Sequence, residues 1–181
     1  MKKRIFKIML PILLLVLIQA CSKTDATIYG KWTLNSEKST DLASWRYRQL
    51  ELEIASENNQ VTIIQNWTHK RYGSFIDSVT FKPGIDTSKV IVKSPIWQKN
   101  WFMGILAKVN GVKTVCGSWQ EVDKKLTTKT KEIVAVSQGQ AEITTVNEFG
   151  LNSKGDVLTV KEKRSTRPTV ITLVFDRTVQ E

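Results

Sequence analysis

Apolar and polar residues alternate through most of the chain beyond residue 28. Leu50, Leu52 and Ile54 alternate with Glu51 and Glu53, so three aliphatic side chains fall on one pleat face and two carboxylates on the other. Val61, Ile63 and Trp67 follow Asn58-Asn59, a pair suited to a tight turn. Phe75, Val79 and Phe81 share one parity before the break at Lys82-Pro83-Gly84. Val90 and Val92 predict a short strand ending near Pro95. A nearly continuous apolar run, Trp101 to Val109, is followed by Asn110-Gly111 and then by Val112 to Trp119. Asn-Gly between two such runs predicts a hairpin. Further strands are predicted over about 126–136, 140–149, 156–163 and 169–176, with turns at Asp123-Lys124-Lys125, Ser137-Gln138-Gly139 and Asn152 to Asp156.

Nine or ten strands at meander spacing predict an all-β chain, a barrel or a sandwich. The reading taken is a single antiparallel up-and-down barrel of about eight to ten strands over residues 28–177, followed by a short polar tail at 178–181. Ser39 to Tyr47 reads as a short helix or as a loop. No linker or low-complexity run suggests a domain boundary. A barrel near eight strands holds either a side-chain core or one small ligand, and the pattern leaves both open.

The first twenty residues are different. Lys2, Lys3, Arg4 and Lys7 precede an apolar run from Ile8 to Ile18, and Ala20 stands before Cys21. A basic segment, a short apolar segment and a small residue make a secretory leader; the run is about half of what a bilayer span requires. The net charge of +10 falls to +6 without those four basic residues. Leu17-Ile18-Gln19-Ala20-Cys21 resembles a bacterial lipobox, with Gln19 an unusual middle residue. The resemblance implies cleavage of residues 1–20, a diacylglyceryl thioether and an acylated amine (palmitate or a similar chain) on Cys21, and a lipidated tether at 21–27. It further implies a lipoprotein of the bacterial cell envelope, with Ser22 in the second position favouring the outer membrane and the face left open. Cys116 then has no intramolecular disulfide partner and reads as a buried, unreactive thiol.

Gly30-Lys31-Trp32-Thr33-Leu34-Asn35 and the following Lys38-Ser39 resemble the opening of small secreted bacterial lipocalin-like proteins, in which a Gly-x-Trp closes one barrel end. Leu151-Asn152-Ser153-Lys154-Gly155-Asp156-Val157-Leu158-Thr159 resembles the Leu-Ser-x-Asp-Gly-Lys-x-Leu-Thr segment of the same family. Here Asn152 replaces Ser, Lys154 replaces Asp and Asp156 replaces Lys. Val174-Phe175-Asp176-Arg177 is similar to its closing strand. The resemblance implies a lipocalin-like barrel with Gly30 and Trp32 as closing residues, and no particular ligand.

Candidate chemistry is sparse. His69, the only histidine, lies in His69-Lys70-Arg71 and reads as solvated in a polar turn. Glu51 and Glu53 share a strand face that points to solvent. No phosphate loop, metal-ligand spacing or nucleophilic constellation is present, so an enzyme, a cofactor and a metal are not expected. Lys124-Lys125-Lys129-Lys131 and Lys161-Lys163-Arg164-Arg167 read as outward strand faces, not as a nucleic-acid surface. Six tryptophans remain to be explained. Trp67, Trp97, Trp101 and Trp119, with Met103 and Ile105, are candidate walls of an apolar ligand cavity. The expectation is non-catalytic binding of a small apolar or amphipathic molecule. The alternatives are a filled barrel that contacts another envelope protein, and an enzyme with an unrecognised polar site. Besides the small ligand, membrane lipid reached through acylated Cys21 is the partner expected; nucleic acid is not.

Overall fold

The computed structural model describes residues 26–41, 47–69, 73–84, 87–92, 106–107, 111–136 and 139–178. They form eleven strands: β1 (Gly30–Leu34), β2 (Tyr47–Glu57), β3 (Gln60–His69), β4 (Gly73–Phe81), β5 (Ser88–Ile91), β6 (Leu106–Ala107), β7 (Val112–Glu121), β8 (Lys125–Val136), β9 (Gly139–Leu151), β10 (Val157–Arg164) and β11 (Ile171–Arg177). The order around the sheet is β4-β3-β2-β1-β11-β10-β9-β8-β7-β5, every pairing antiparallel. First and last strands are neighbours, and the ends of the order, β4 and β5, lie close without a ladder among the described residues. This is an all-β, nearly closed barrel of ten strands, with β6 attached to β8. The segment 39–47, read as a short helix or a loop, falls largely outside the described residues.

The alternation places the strands as expected. Leu50, Leu52 and Ile54 on β2 and Val61, Ile63 and Trp67 on β3 are buried, while Glu51 is exposed. Asn58 and Asn59 both take positive φ, 51° and 61°, which is the twist a two-residue hairpin turn needs. The described strands β6 and β7 do not pair with each other, as the hairpin predicted around Asn110-Gly111 requires. Leu106 pairs with Ala135 and Thr114 with Lys131, so β6 and β7 lie in line along one edge of β8. The other edge of β7 pairs with β5, and Val92 N donates to Gly111 O at 2.9 Å, which draws Gly111 into that ladder. Two more readings are corrected. His69 is buried at the end of β3, and Arg164 is an inward position of β10, not an outward one.

One end of the barrel is an apolar core that includes Ile28, Trp32, Leu52, Phe81, Leu126, Leu158 and Phe175. Trp32 is fully buried; its Nε1 donates to Ile28 O at 2.9 Å, and the Arg177 guanidinium carbon lies 4.1 Å from the ring centroid. Arg177 also donates to Gly155 O, Tyr29 O and Thr27 O. Gly30 has φ +125°, and a Cβ there would meet Arg177 Nη1 at 3.0 Å, so both backbone and space ask for glycine. Near the seam, Gly84 N donates to Gly117 O at 2.8 Å. The Phe81 ring lies over Gly117 so closely that a Cβ would sit 2.2 Å from a ring carbon.

Three measurements check this account. Trp32→Ala should cost about 3–5 kcal/mol in urea unfolding; a cost below about 0.5 kcal/mol would place the ring at the surface. Gly117→Ala should cost about 1–3 kcal/mol through overpacking against Phe81, and Phe81→Leu in the same chain should return part of it. Tyr29 donates to Asp123 Oδ1 at 2.6 Å. Burial first, then that bond, pushes its pKa from 10.0 up to about 12. The folded phenol stays protonated where the unfolded one ionises, so this stabilisation is complete below pH 10 and is lost as pH rises toward 12. Tyr29→Phe should therefore melt with a shallower pH slope than the parent over that range; equal slopes would remove Tyr29 as a cause.

Candidate functional site

Along three neighbouring strands the inward-facing residues change from apolar to polar at the same height. On β8 the sequence Leu126, Thr128, Thr130, Glu132, Val134 points inward; on β9 it is Phe149, Asn147, Thr145, Ile143. On β10, Leu158 and Val160 give way to Glu162 and Arg164. Gln65 and His69 continue the belt on β3, and β4 and β7 add Asp77 and Lys113. Above the belt a second apolar cluster contains Val92, Val134 and Ile143. The interior is thus apolar, polar and apolar along the barrel axis.

The charges in the belt are paired. Arg164 Nε donates to Glu162 Oε1 at 2.6 Å, and Arg164 Nη2 lies 2.5 Å from the same oxygen. These residues are two apart on one strand, so their side chains share the inner face. Both side chains are at least 97% buried (1% and 3% exposed). Lys113, whose side chain is 4% exposed, pairs with Asp77 of β4. That ion pair crosses the seam where β4 and β7 have no ladder. Replacing buried ion pairs with apolar residues is often neutral or stabilising, so stability alone gives little reason for them.

Beside the Asp77–Lys113 pair lies a cavity of about 50 Å³. Ile63, Val79 and Phe149 line its apolar side; Gln65, Asp77, Lys113, Thr128, Thr130, Glu132, Thr145 and Asn147 line the rest. Drug-sized pockets measure about 300–1,000 Å³. A space this small seats a group of a few atoms and not a whole lipid chain.

The candidate wall residues are distributed differently. Trp67 is buried in the larger apolar core, and Trp119 is half-buried beside it, edge-on to Tyr29 with ring centroids 6.2 Å apart. Neither is among the side chains lining the cavity. Trp97, Trp101, Met103 and Ile105 lie outside the described residues, as does Cys21. Gly30 and Trp32 stand at the β1 end of the core, under Arg177. Cys116 is half-buried, with Sγ 3.8 Å from Lys129 O. Among the described residues no cluster of His, Cys, Asp and Glu could hold a metal ion. The polar belt escaped the sequence reading, although Gln65 shares the parity of Ile63 and Trp67, and Asp77 that of Phe75 and Val79.

No family model and no curated protein matches the chain. Solved structures do. A protein described as "REP1-NXSQ fatty acid transporter" superposes with a TM-score of 0.52 at 10% identity, over 85% of this chain and 98% of that one. Secretory abundant heat soluble protein 4 from Ramazzottius varieornatus gives 0.50 at 12% identity, over 88% of this chain and all of the other. The fold is lipocalin-like. The same comparisons correct the expected placement in a bacterial outer membrane. The similar barrels are described as a fatty acid transporter and a secretory heat-soluble protein, and neither as an outer-membrane lipoprotein.

The cross-seam pair predicts a specific mutational pattern. Asp77→Leu alone leaves a buried ammonium and should cost about 3–5 kcal/mol. Lys113→Met together with Asp77→Leu should recover most of that loss. Additive costs in urea unfolding would mean that the pair is not coupled.

Proposed function

We propose that this chain is a non-catalytic binding protein whose lipocalin-like barrel takes a small amphipathic molecule. The observation that carries the reading is the internal cavity, with Ile63, Val79 and Phe149 on one side and a buried polar belt on the other. A barrel filled purely for stability would be expected to continue its apolar core across that height, because each fully buried aliphatic or aromatic side chain contributes about 1.5–3 kcal/mol. The description of one similar barrel as a fatty acid transporter supports a ligand with an apolar part. The cavity itself suits that ligand's polar end.

Trp97, Trp101, Met103 and Ile105 remain proposed contacts for the apolar part. Trp67, two positions from Gln65 on the inner face of β3, is the proposed reporter of occupancy. A separate part of the proposal rests on residues 1–21 alone: cleavage before Cys21 and acylation of its thiol. Intact mass of the chain made in its own cells would show it, and a chain that still begins at Met1 would overturn it.

Purified protein titrated with medium-chain amphiphiles should change its tryptophan emission saturably, with one site by calorimetry. Flat titrations across alcohols, amides, amines and acids would overturn the binding reading and favour the filled barrel as an interaction module.

A further inference from the structure

Resting on that reading, we infer that the cavity selects a head group that donates a hydrogen bond and carries no negative charge, an alcohol or an amide in preference to a carboxylate. Asn147 is 8% exposed and lines the cavity, and its Oδ1 accepts no hydrogen bond from the described residues. A desolvated carbonyl without a donor is costly, and a hydroxyl or N–H placed beside it removes that cost. The register puts Thr128 of β8 on one side of Asn147 and Glu162 of β10 on the other. The position is therefore flanked by a hydroxyl, which can donate or accept, and by a carboxylate, which when ionised can only accept.

The cations do not alter this balance. The ammonium of Lys113 is engaged by Asp77, and the guanidinium of Arg164 makes two contacts to Glu162. An entering carboxylate would meet cations already neutralised by partners on the protein. It also brings no hydrogen for Asn147 Oδ1, so an acceptor would meet an acceptor. Asn147 Oδ1 would then stay unsatisfied at its full desolvation cost. A neutral donor meets neither obstacle, and Thr130 and Thr145 can accept or donate to complete its bonding.

The test compares 1-octanol, octanamide and octanoate at pH 7, which differ only at the head. Calorimetric titration of the intact protein should give the alcohol or the amide at least a tenfold tighter dissociation constant than octanoate. Asn147→Leu should weaken the neutral ligands about tenfold while leaving octanoate unchanged, and should melt no lower than the parent. Asn147→Thr, which can still accept, should restore part of the neutral affinity and serves if the leucine variant fails to fold. Octanoate binding as tightly as octanol would overturn this inference and leave the binding function standing. Saturation by none of the three, nor by octylamine, would overturn both.

Discussion

Arg177 holds the closed end of the barrel together. Its guanidinium stacks on Trp32 and donates to carbonyls at Thr27, Tyr29 and Gly155, joining the entry segment, the turn before β10 and the last strand at one point. Trp32 and Arg177 are register partners across β1 and β11, the pairing that brings the first and last strands together. Burial lowers the pKa of Arg177, and the nearby Asp156 carboxylate opposes that shift. A guanidinium keeps its charge through such a change, and its planar fork can serve several carbonyls while one face rests on an indole. A lysine would supply a single point charge and lose the stack. The tight approach to Gly30 follows from the same contact.

The opposite seam is built on another principle. Between β4 and β7 the described residues provide the Gly84–Gly117 backbone bond, the Phe81 ring over Gly117 and the Asp77–Lys113 pair in place of a ladder. The first two lie by the apolar core and the third in the polar belt, so the seam changes character with height as the interior does. Asp77 is one-third exposed while Lys113 is almost wholly buried. The carboxylate therefore keeps some solvent and lowers the cost of holding the ammonium inside. Closure at the seam and polarity of the cavity depend on the same two side chains.

Strand existence was legible because aliphatic residues recur at every second position, as at Leu50, Leu52 and Ile54. Asn58-Asn59 was legible because two residues at positive φ are what a short hairpin requires. Asn110-Gly111 misled for a nonlocal reason. The twelve-residue β8 offers one edge long enough for both β6 and β7, and β5 takes the free edge of β7. Local turn chemistry gives way to the pairing that satisfies more backbone groups. His69 and Arg164 were misplaced because adjacent basic residues suggested solvent, whereas parity put both inside. Gln65 could have been found by that parity, since it interrupts an apolar series without breaking its period. Asn147 offers a weaker signal, between Thr145 and Phe149, and Lys113 stands near the start of its strand, before Val115 on the inner face.

A shared fold and a private interior follow from the same physics. The shell of a barrel is fixed by backbone ladders, which any sequence of suitable alternation can make, so two barrels can superpose at about one residue in ten identical. The inner positions answer to one another across the lumen. Each buried polar group must find a partner in the wall or in what the wall encloses. In this chain the wall supplies Asp77 for Lys113 and Glu162 for Arg164, and it supplies no donor among the described residues for Asn147 Oδ1. That remaining acceptor is a property of these side chains and not of the fold. The choice of ligand head is accordingly argued from Asn147 and its neighbours, while the likeness to other barrels accounts for the shell around them.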